Sequence, residues 1–288
     1  MSLKVVFLGN HTVGVRVIDV LNRYGCLYGV VAHPDDSEDG IRYLSVYEYS
    51  KKLNIPVVRT LPKTSIFKDF INQINPELLF VADYRYLLSE EIFSKTKFGA
   101  VNLHPSLLPK YRGRASLNWA MINGEREVGL TAHFIDNGVD TGDIIKQVPL
   151  TIKENDYIGD VLNNIYPLYT KITEEVIESF ISRSITRQKQ GKYTSSIYPA
   201  RKPSDGVIDC TKDVVNILNF IKALSKPYPG AFLNYNGKKF IIWSAEKSNE
   251  TFSFYGIHKK NENIYLQCQN GTLKVLDYTI SIDEHNVK

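Results

Sequence analysis

Short apolar runs alternate with stretches of helical periodicity over residues 1–188 of this 288-residue chain. Runs typical of buried strands lie at residues 3–8, 27–32, 78–82 and 100–103, and the segments between them carry apolar residues every three or four positions. Strands interleaved with helices form βαβ units, whose strands pair in a mainly parallel sheet. The alternation therefore predicts an α/β domain.

The last third of the chain has a different pattern. After a helical stretch at residues 216–224 come short β runs separated by turn residues, namely KKFIIWSA, FSFYGI, IYLQC and GTLKVLDYTI. The preceding segment, residues 187–206, is polar and contains Gly, Pro and Ser, which is typical of a linker. We predict a large α/β domain over residues 1–188, a linker over residues 189–206 and a small β-rich domain, barrel- or OB-like, over residues 207–288.

The formal net charge of +4 is divided unevenly. Residues 1–188 carry 21 basic and 22 acidic side chains, and residues 189–288 carry 14 and 9. So small a surplus does not by itself indicate nucleic acid or a membrane surface as a partner. Cys26, Cys210 and Cys268 lie far apart, and there is neither a signal-peptide core nor an apolar run of about 20 residues. These features predict a soluble cytoplasmic protein.

The densest polar motif lies at residues 101–145. Asn102 and His104 occupy positions i and i+2 of a predicted strand, so their side chains project to one face. Pro105 ends that strand. Because ligands of open α/β sheets bind beyond the carboxyl ends of the strands, the pair is well placed to act on a polar group. Asp140 follows in the run DNGVDTG, where a surface turn or a helix cap is the alternative interpretation.

The motif NLHPSLLPKYRG, followed by the later DTG, resembles the folate-dependent formyltransferase family. That family moves a formyl group from 10-formyltetrahydrofolate to an amine. The longer string NLHPSLLPKYRGRASLNW is most similar to the branch that acts on nucleotide-linked amino sugars. The resemblance covers residues 1–150 and continues loosely to the end of the chain. It implies a Rossmann-like formyltransferase domain whose catalytic residues are Asn102, His104 and Asp140.

These three residue types fit the chemistry of formyl transfer, which passes through a tetrahedral intermediate that carries an oxyanion. The amide of Asn102 can donate a hydrogen bond to that oxygen, an interaction worth about 3 kcal/mol of barrier lowering. His104 is either the base that takes the amine proton or, when protonated, a second oxyanion donor. Asp140 either raises the pKa of His104 and orients its ring or relays a proton through water.

The resemblance also implies ligand contacts in the loops that follow the strands. The folate-binding candidates are Tyr84, Arg85, Tyr86, Leu87 and Asp136. The candidates for binding the sugar nucleotide are Asn10, His11, Lys110, Arg112 and Arg114. The alternative interpretations are structural: Thr12 caps the helix that follows the first turn, the aromatic side chains pack at the surface, and the basic residues belong to a solvated turn.

Three functions compete. The first is N-formyl transfer to a dTDP- or UDP-linked amino sugar, as in lipopolysaccharide or O-antigen decoration, with a homodimer as a common arrangement in the family. The second is formyl transfer to methionyl-tRNA, and the third is an inactive binding module. The run HPDDSEDGIR has four acidic side chains against one arginine, which disfavours a nucleic-acid partner, and the presence of all three catalytic residue types disfavours the inactive module. We therefore predict a sugar nucleotide and a folate as partners.

A second, shorter resemblance points to a metal. Residues 32–36, with the sequence AHPDD, resemble the metal-binding sequence of zinc-dependent sugar deacetylases. That chemistry needs a further histidine ligand, usually in an HxxH pair, and the later histidines form no such pair. We therefore predict that the protein has no metal site.

Overall fold

A computed structural model describes residues 3–34, 44–191, 197–235 and 237–282. The chain divides into two compact units. The first unit consists of Met1–Gly113, Val128–Thr151 and Asn163–Ile197, and the second of Arg114–Glu127, Ile152–Leu162 and Tyr198–Lys288. Each unit thus collects several stretches of chain. The contiguous domains and the linker expected from the sequence stay a prediction.

The helices are α1 (His11–Arg23), α2 (Val46–Lys52), α3 (Ser65–Ile74), α4 (Glu90–Phe93), α5 (Ser116–Ile122), α6 (Ile158–Ile181) and α7 (Val214–Leu224). The strands are β1 (Val5–Gly9), β2 (Leu27–Ala32), β3 (Val57–Arg59), β4 (Leu78–Ala82), β5 (Ala100–His104), β6 (Arg112–Gly113), β7 (Glu127–Phe134), β8 (Ile144–Thr151), β9 (Ile197–Tyr198), β10 (Ala231–Tyr235), β11 (Lys238–Ser248), β12 (Gly256–Lys260), β13 (Asn263–Cys268) and β14 (Gly271–Ile282). No helix within the described ranges is both long and apolar enough to cross a bilayer.

The first unit is built on a seven-stranded sheet in the order β3-β2-β1-β4-β5-β7-β8. Strands β1 to β5 pair in parallel, and β7 runs antiparallel to β5. Every residue of β1 and β4 is buried, as expected for the centre of a parallel sheet. This architecture confirms the predicted Rossmann-like domain with its mainly parallel sheet. The strand order reverses between β1 and β4, and ligands of such folds bind at the carboxyl ends beside that point.

Helix α3 closes one face of this sheet. Its start is capped by Thr64, whose side chain accepts a hydrogen bond from the Phe67 N–H. Phe67 and Ile71 then project onto Leu8 of β1 and Leu79 of β4 in one buried apolar cluster. Each such buried side chain contributes about 1.5–3 kcal/mol by leaving water, so this packing stabilises the sheet whose strand ends carry the candidate residues.

The second unit contains a five-stranded antiparallel sheet in the order β10-β11-β14-β13-β12. Helix α7 begins at the N-cap Asp213, whose carboxylate accepts a hydrogen bond from the Val215 N–H. Its residues Ile217 and Ile221 belong to the same buried cluster as Ile242 on β11 and other apolar side chains of the sheet. The β-rich character predicted for the end of the chain is confirmed.

Candidate active site

A polar face is found at the junction of β5 and β7. Asn102 pairs with His133 and His104 pairs with Thr131 across the two antiparallel strands. Directly opposed residues of neighbouring strands project to the same side of a sheet. The end of β5 therefore presents an amide and an imidazole beside a second imidazole and a hydroxyl.

The carboxylate of Asp140 reaches this face and contacts both histidines. Its Oδ2 lies 3.6 Å from His104 Nδ1, and its Oδ1 lies 3.5 Å from His133 Nε2. The backbone N–H of Gly113 donates to Oδ2 at 2.8 Å, and Asn102 Nδ2 donates to Oδ1 at 3.4 Å. The side chains of His104 and Asp140 are only 6% and 14% exposed. The three predicted catalytic residues thus meet around one buried carboxylate.

The turn that carries Asp140 has an unusual backbone. Asp140 has φ 53°, in the left-handed region that is disfavoured for residues with a Cβ. Asp136 closes the turn, because its Oδ1 accepts a hydrogen bond from Thr141 Oγ1 at 2.6 Å. At Gly142 a Cβ would lie 1.9 Å from the carbonyl oxygen of Phe134, so this position requires glycine. Asp136, a predicted folate contact, is therefore part of the support for Asp140, and its folate role stays a prediction.

Two backbone carbonyls set the protonation of the histidine rings. His104 Nε2 is 2.8 Å from the Tyr111 oxygen, and His133 Nδ1 is 2.7 Å from the carbonyl oxygen of the next residue. A carbonyl oxygen can only accept, so these ring nitrogens carry the protons. In the neutral rings the lone pair lies on His104 Nδ1, towards Asp140, and on His133 Nε2. The latter accepts a hydrogen bond from Asn102 Nδ2 at 3.2 Å.

Burial and charge act in opposite directions at the pair. Burial lowers the pKa of His104, and the nearby His133 lowers it further. The Asp140 carboxylate and the Tyr111 carbonyl act in the opposite direction and raise it. Burial alone would raise the pKa of Asp140, but His104 and the Gly113 N–H hold it well below its usual range. Near neutral pH the site therefore combines a neutral imidazole with an ionised carboxylate.

The predicted folate loop follows β4. Tyr84, Arg85 and Tyr86 are half-buried and Leu87 is exposed. The rings of Tyr84 and Tyr86 lie edge to face with centroids 5.7 Å apart, and both face the ring of His33. The Tyr84 hydroxyl and His33 Nε2 are buried polar atoms without a hydrogen-bond partner, which is uncommon away from a ligand site. The assignment of this loop to folate stays a prediction.

The predicted sugar-nucleotide residues of the first turn lie at the carboxyl ends of β1 and β4. The buried amide of Asn10 hydrogen-bonds His33 Nδ1 at 3.3 Å. His11 Nδ1 lies 2.6 Å from Asp83 Oδ2. The alternative role for Thr12 is wrong, because α1 begins at His11 with Asn10 as its N-cap and Thr12 lies inside the helix.

The three predicted basic residues have different surroundings. Arg112 donates from Nε and Nη2 to Gln190 Oε1 at 3.2 and 2.5 Å within the first unit. Lys110 is exposed, and Arg114 is an exposed residue of the second unit. Arg112 is thereby linked to the turn of Asp140, because Gln190 Nε2 also donates to the Asp140 carbonyl at 2.8 Å.

Sequence reasoning missed His133 and Gln190. Ala132 and Phe134, the neighbours of His133 in β7, are apolar, so the local sequence is typical of a buried strand. A signal was present, since Thr131 and His133 are polar residues at i and i+2, as Asn102 and His104 are. Gln190 falls in a polar segment that was assigned to a linker, and its local sequence gives no sign of its partners.

The metal prediction concerns residues that are partly outside the described ranges. In the part of the chain that the structure describes, no group of three or more His, Cys, Asp or Glu side chains could hold a metal ion. Asp35 and Asp36 of the AHPDD sequence lie outside it, and so does the rest of the acidic run through Arg42. The charge argument against tRNA therefore rests on the sequence.

Comparison with known proteins identifies the family. Residues 5–177 match the formyl transferase family, and residues 201–282 match its C-terminal domain. The chain therefore belongs to the formyl transferase family. This confirms the predicted enzyme class and the resemblance first seen in residues 101–145.

Several relatives cover nearly all of this chain. The bifunctional polymyxin resistance protein ArnA of Wigglesworthia glossinidia brevipalpis is 32% identical over 277 residues, which are 95% of this chain but 42% of ArnA. The methionyl-tRNA formyltransferase of Caldanaerobacter subterraneus subsp. tengcongensis is 30% identical over 288 residues, 96% of this chain and 91% of the relative. The crystal structure of WlaRD, a sugar 3N-formyl transferase in the presence of dTDP and 5-N-formyl-THF, superposes with a TM-score of 0.74 at 25% identity, covering 96% of this chain and 98% of that one.

Proposed function

We propose that this protein transfers the formyl group of 10-formyltetrahydrofolate to the amine of a nucleotide-linked amino sugar, with a dTDP- or UDP-sugar as the acceptor class. The observation that carries the proposal is the meeting of Asn102, His104 and Asp140 at the carboxyl end of β5. The similarity to WlaRD over almost the full length of both chains supports the choice of acceptor class.

In this proposal His104 takes the proton that the attacking amine loses. The Tyr111 carbonyl holds the proton on Nε2, so the lone pair of the neutral ring lies on Nδ1. Because burial keeps the pKa of His104 below its usual value, the ring is ready to accept a proton near neutral pH. The imidazolium that results has the carboxylate of Asp140 3.6 Å from Nδ1, which stabilises the charge.

Asn102 is the proposed donor to the oxygen of the formyl group. Its amide nitrogen contacts His133 Nε2 at 3.2 Å and Asp140 Oδ1 at 3.4 Å. The second distance is near the limit for a hydrogen bond, so this N–H is only weakly engaged. Exchanging it for a bond to a developing oxyanion gains a charge-assisted interaction that is worth about 3 kcal/mol in comparable sites.

The formyl donor supplies an activated formyl carbon when it is bound. Residues 84–87 are the proposed contacts of its flat ring system. Two properties of the loop suit that role: the half-buried pair of Tyr84 and Tyr86 offers aromatic surface, and the buried Tyr84 hydroxyl lacks a hydrogen-bond partner. Asp136 contributes through the turn that it closes.

Asn10, His11 and the basic residues of the KYRGR sequence are the proposed contacts of the sugar nucleotide. Asn10 and His11 follow β1, at the point of the sheet where open α/β folds bind ligands. The positive charges of Lys110, Arg112 and Arg114 suit a diphosphate, for which guanidinium groups offer paired donors.

A mass-spectrometric screen tests the proposal. The protein is incubated with 10-formyltetrahydrofolate and a panel of dTDP- and UDP-linked amino sugars, and each sugar is examined for a formyl mass gain. We expect a gain on at least one member, and its loss with Asp140→Asn. Absence of a gain across the panel, in a preparation that formylates methionyl-tRNA, would reject the sugar assignment.

Methionyl-tRNA is the second candidate acceptor. It is favoured by one observation, the 30% identity with a methionyl-tRNA formyltransferase over 91% of that protein. Binding of tRNA releases counterions, so a true tRNA enzyme would lose affinity steeply with added salt. Transfer to neither acceptor class, with folate still bound, would favour the inactive module.

A further inference from the structure

We propose that Gln190 is a positioning residue that holds Asp140 in its orientation towards His104. The proposal rests on the proposed function, because it concerns the carboxylate assigned there to catalysis. Gln190 lies at the start of the segment predicted to be a linker, yet it belongs to the first unit. Its side chain is half-buried, whereas the residues just before it are exposed.

The amide of Gln190 is bonded in two directions. Its Nε2 donates to the backbone carbonyls of Asp140 and Gly142, each at 2.8 Å. Its Oε1 accepts from Nε and Nη2 of Arg112 at 3.2 and 2.5 Å. A primary amide has two N–H donors and two acceptor lone pairs, so these four contacts use its full capacity.

These bonds connect residues 112–113 to the turn at residues 140–142. The Asp140 side chain connects the same two segments. Gly113 follows Arg112 directly, and its N–H donates to Asp140 Oδ2 at 2.8 Å. Asp140 is therefore held twice: at its main-chain carbonyl through Gln190 and Arg112, and at its carboxylate by Gly113. A rotation of the Asp140 backbone would break bonds at both ends.

The double hold acts on Asp140, a residue whose backbone is in the left-handed region. Its φ of 53° is disfavoured for a residue with a Cβ and persists only where the surroundings impose it. Without the two bonds from Gln190, we expect the turn to relax. The carboxylate would then move away from His104, to which it is already 3.6 Å distant.

Gln188 provides a matched control two residues earlier. Its backbone N–H donates to the Ile144 carbonyl at 2.9 Å, and its own carbonyl accepts from the Ile144 N–H at 2.8 Å. Its side chain is exposed. The segment is thus attached to β8 by backbone at Gln188, whereas at Gln190 the attachment to the turn is made by the side chain.

The kinetic test compares three variants on the identified acceptor. Gln190→Ala is expected to lower kcat by about 10-fold or more, with KM changed less than about 3-fold, because misplacing a catalytic group affects turnover more than binding. Gln190→Glu keeps the acceptor for Arg112 but loses both donors, so it should be as impaired as the alanine variant. Gln188→Ala should match the wild type.

A second readout does not depend on the acceptor. Among the described residues, Asp140 and His133 are the charged or titratable side chains that face His104, and the carboxylate favours the imidazolium. Moving Asp140 away should therefore lower the midpoint of the His104 titration, measured by NMR of the ligand-free protein. Gln190→Ala should shift it in the same direction as Asp140→Asn, and Gln188→Ala should leave it unchanged.

The two readouts separate the possible failures. A shifted titration in a protein that formylates no sugar supports the positioning role and rejects the proposed acceptor. An unchanged titration with unchanged kcat in Gln190→Ala overturns the inference. A loss of activity that follows a loss of thermal stability, with the titration unmoved, also overturns it, because Gln190 would then serve only the fold.

Discussion

The pairs Asp83–His11 and Asp140–His104 both lie in the first unit, and they differ in an instructive way. Asp83 and Asp140 both have a left-handed backbone, with φ 51° and 53°. Asp83 Oδ2 lies 2.6 Å from His11 Nδ1, and these side chains are 46% and 16% exposed. Asp140 Oδ2 lies 3.6 Å from His104 Nδ1, and these side chains are 14% and 6% exposed. The shorter contact belongs to the more exposed pair.

The difference shows that distance alone does not distinguish the pair that we propose to be catalytic. An exposed ion pair exchanges water for its partner with little gain, typically about 0–1 kcal/mol. In the Asp140 pair both groups are largely shielded from water, so the charge state of each depends on the other and on the Gly113 N–H.

The largest expected effect is at His104. His104→Ala removes the proposed base and should lower kcat by about 10²–10⁴-fold, whereas His11→Ala should not approach that loss. Steady-state kinetics on the identified acceptor measures kcat for both variants. Because His104 is buried, circular dichroism and a thermal melt are used to establish that His104→Ala is folded. Near-wild-type turnover in folded His104→Ala would remove this residue from the mechanism.

The next effect is at Asp140, and it has a pH signature. Asp140→Asn should lower kcat by about 10²-fold, because the imidazolium loses its counter-charge. The carboxylate raises the pKa of His104, so its removal lowers that pKa further below the usual value. Since the base is active when unprotonated, the acid limb of kcat/KM against pH should move to lower pH. A shift to higher pH would contradict the proposed role.

A smaller effect is expected at His133, which the sequence did not reveal. His133→Leu removes the acceptor for Asn102 and one neighbour of the Asp140 carboxylate. Because the Asn102 amide and the Asp140 carboxylate would be held less firmly, kcat should fall by about 10-fold, with little change in KM. His133→Gln, which can still accept a hydrogen bond, should recover part of the loss. Equal activity of both variants and the wild type would show that Asn102 needs no such support.

The smallest effect is expected at the exposed pair. Asp83→Asn and His11→Asn should each change stability by less than about 1 kcal/mol, and a double-mutant cycle should give a coupling of the same size. Their kcat should stay within about 3-fold of the wild type. A rise in KM for the sugar nucleotide in His11→Asn alone would support its proposed role in binding, and a large loss of kcat would erase the distinction between the two pairs.

Much of the first unit could be predicted from local sequence. β2 and β4 have the predicted bounds, because each is a continuous apolar run between polar turns. Asn102 and His104 share a face for the simple reason that side chains alternate along a strand. Asp140 was added by resemblance, and its backbone conformation was beyond the reach of any sequence pattern.

The parts that could not be predicted depend on contacts between distant residues. Gln190 bonds a carbonyl 50 positions earlier in the chain, and its polar neighbours favour a linker. The cap interpretation of Thr12 failed for a related reason. Asn10 takes the N-cap position of α1, but its side chain makes no bond to the helix and instead contacts His33, which follows β2. Local preferences are overridden wherever a tertiary partner offers a better bond.

The opposed placement of Asn102 and His133 on antiparallel strands has a consequence for how such an enzyme can change over generations. Adding or removing one residue within β5 or β7 would make the side chains beyond that point face the opposite side of the sheet. An apolar neighbour such as Leu103 would then face the reacting groups. Most of residues 105–126, between the two strands, lie outside any strand, but Tyr111, Arg112 and Gly113 contact His104, Gln190 and Asp140. Descendants can therefore remodel the rest of this connection for new acceptors, whereas an odd-numbered change of strand length would displace the proposed catalytic side chains.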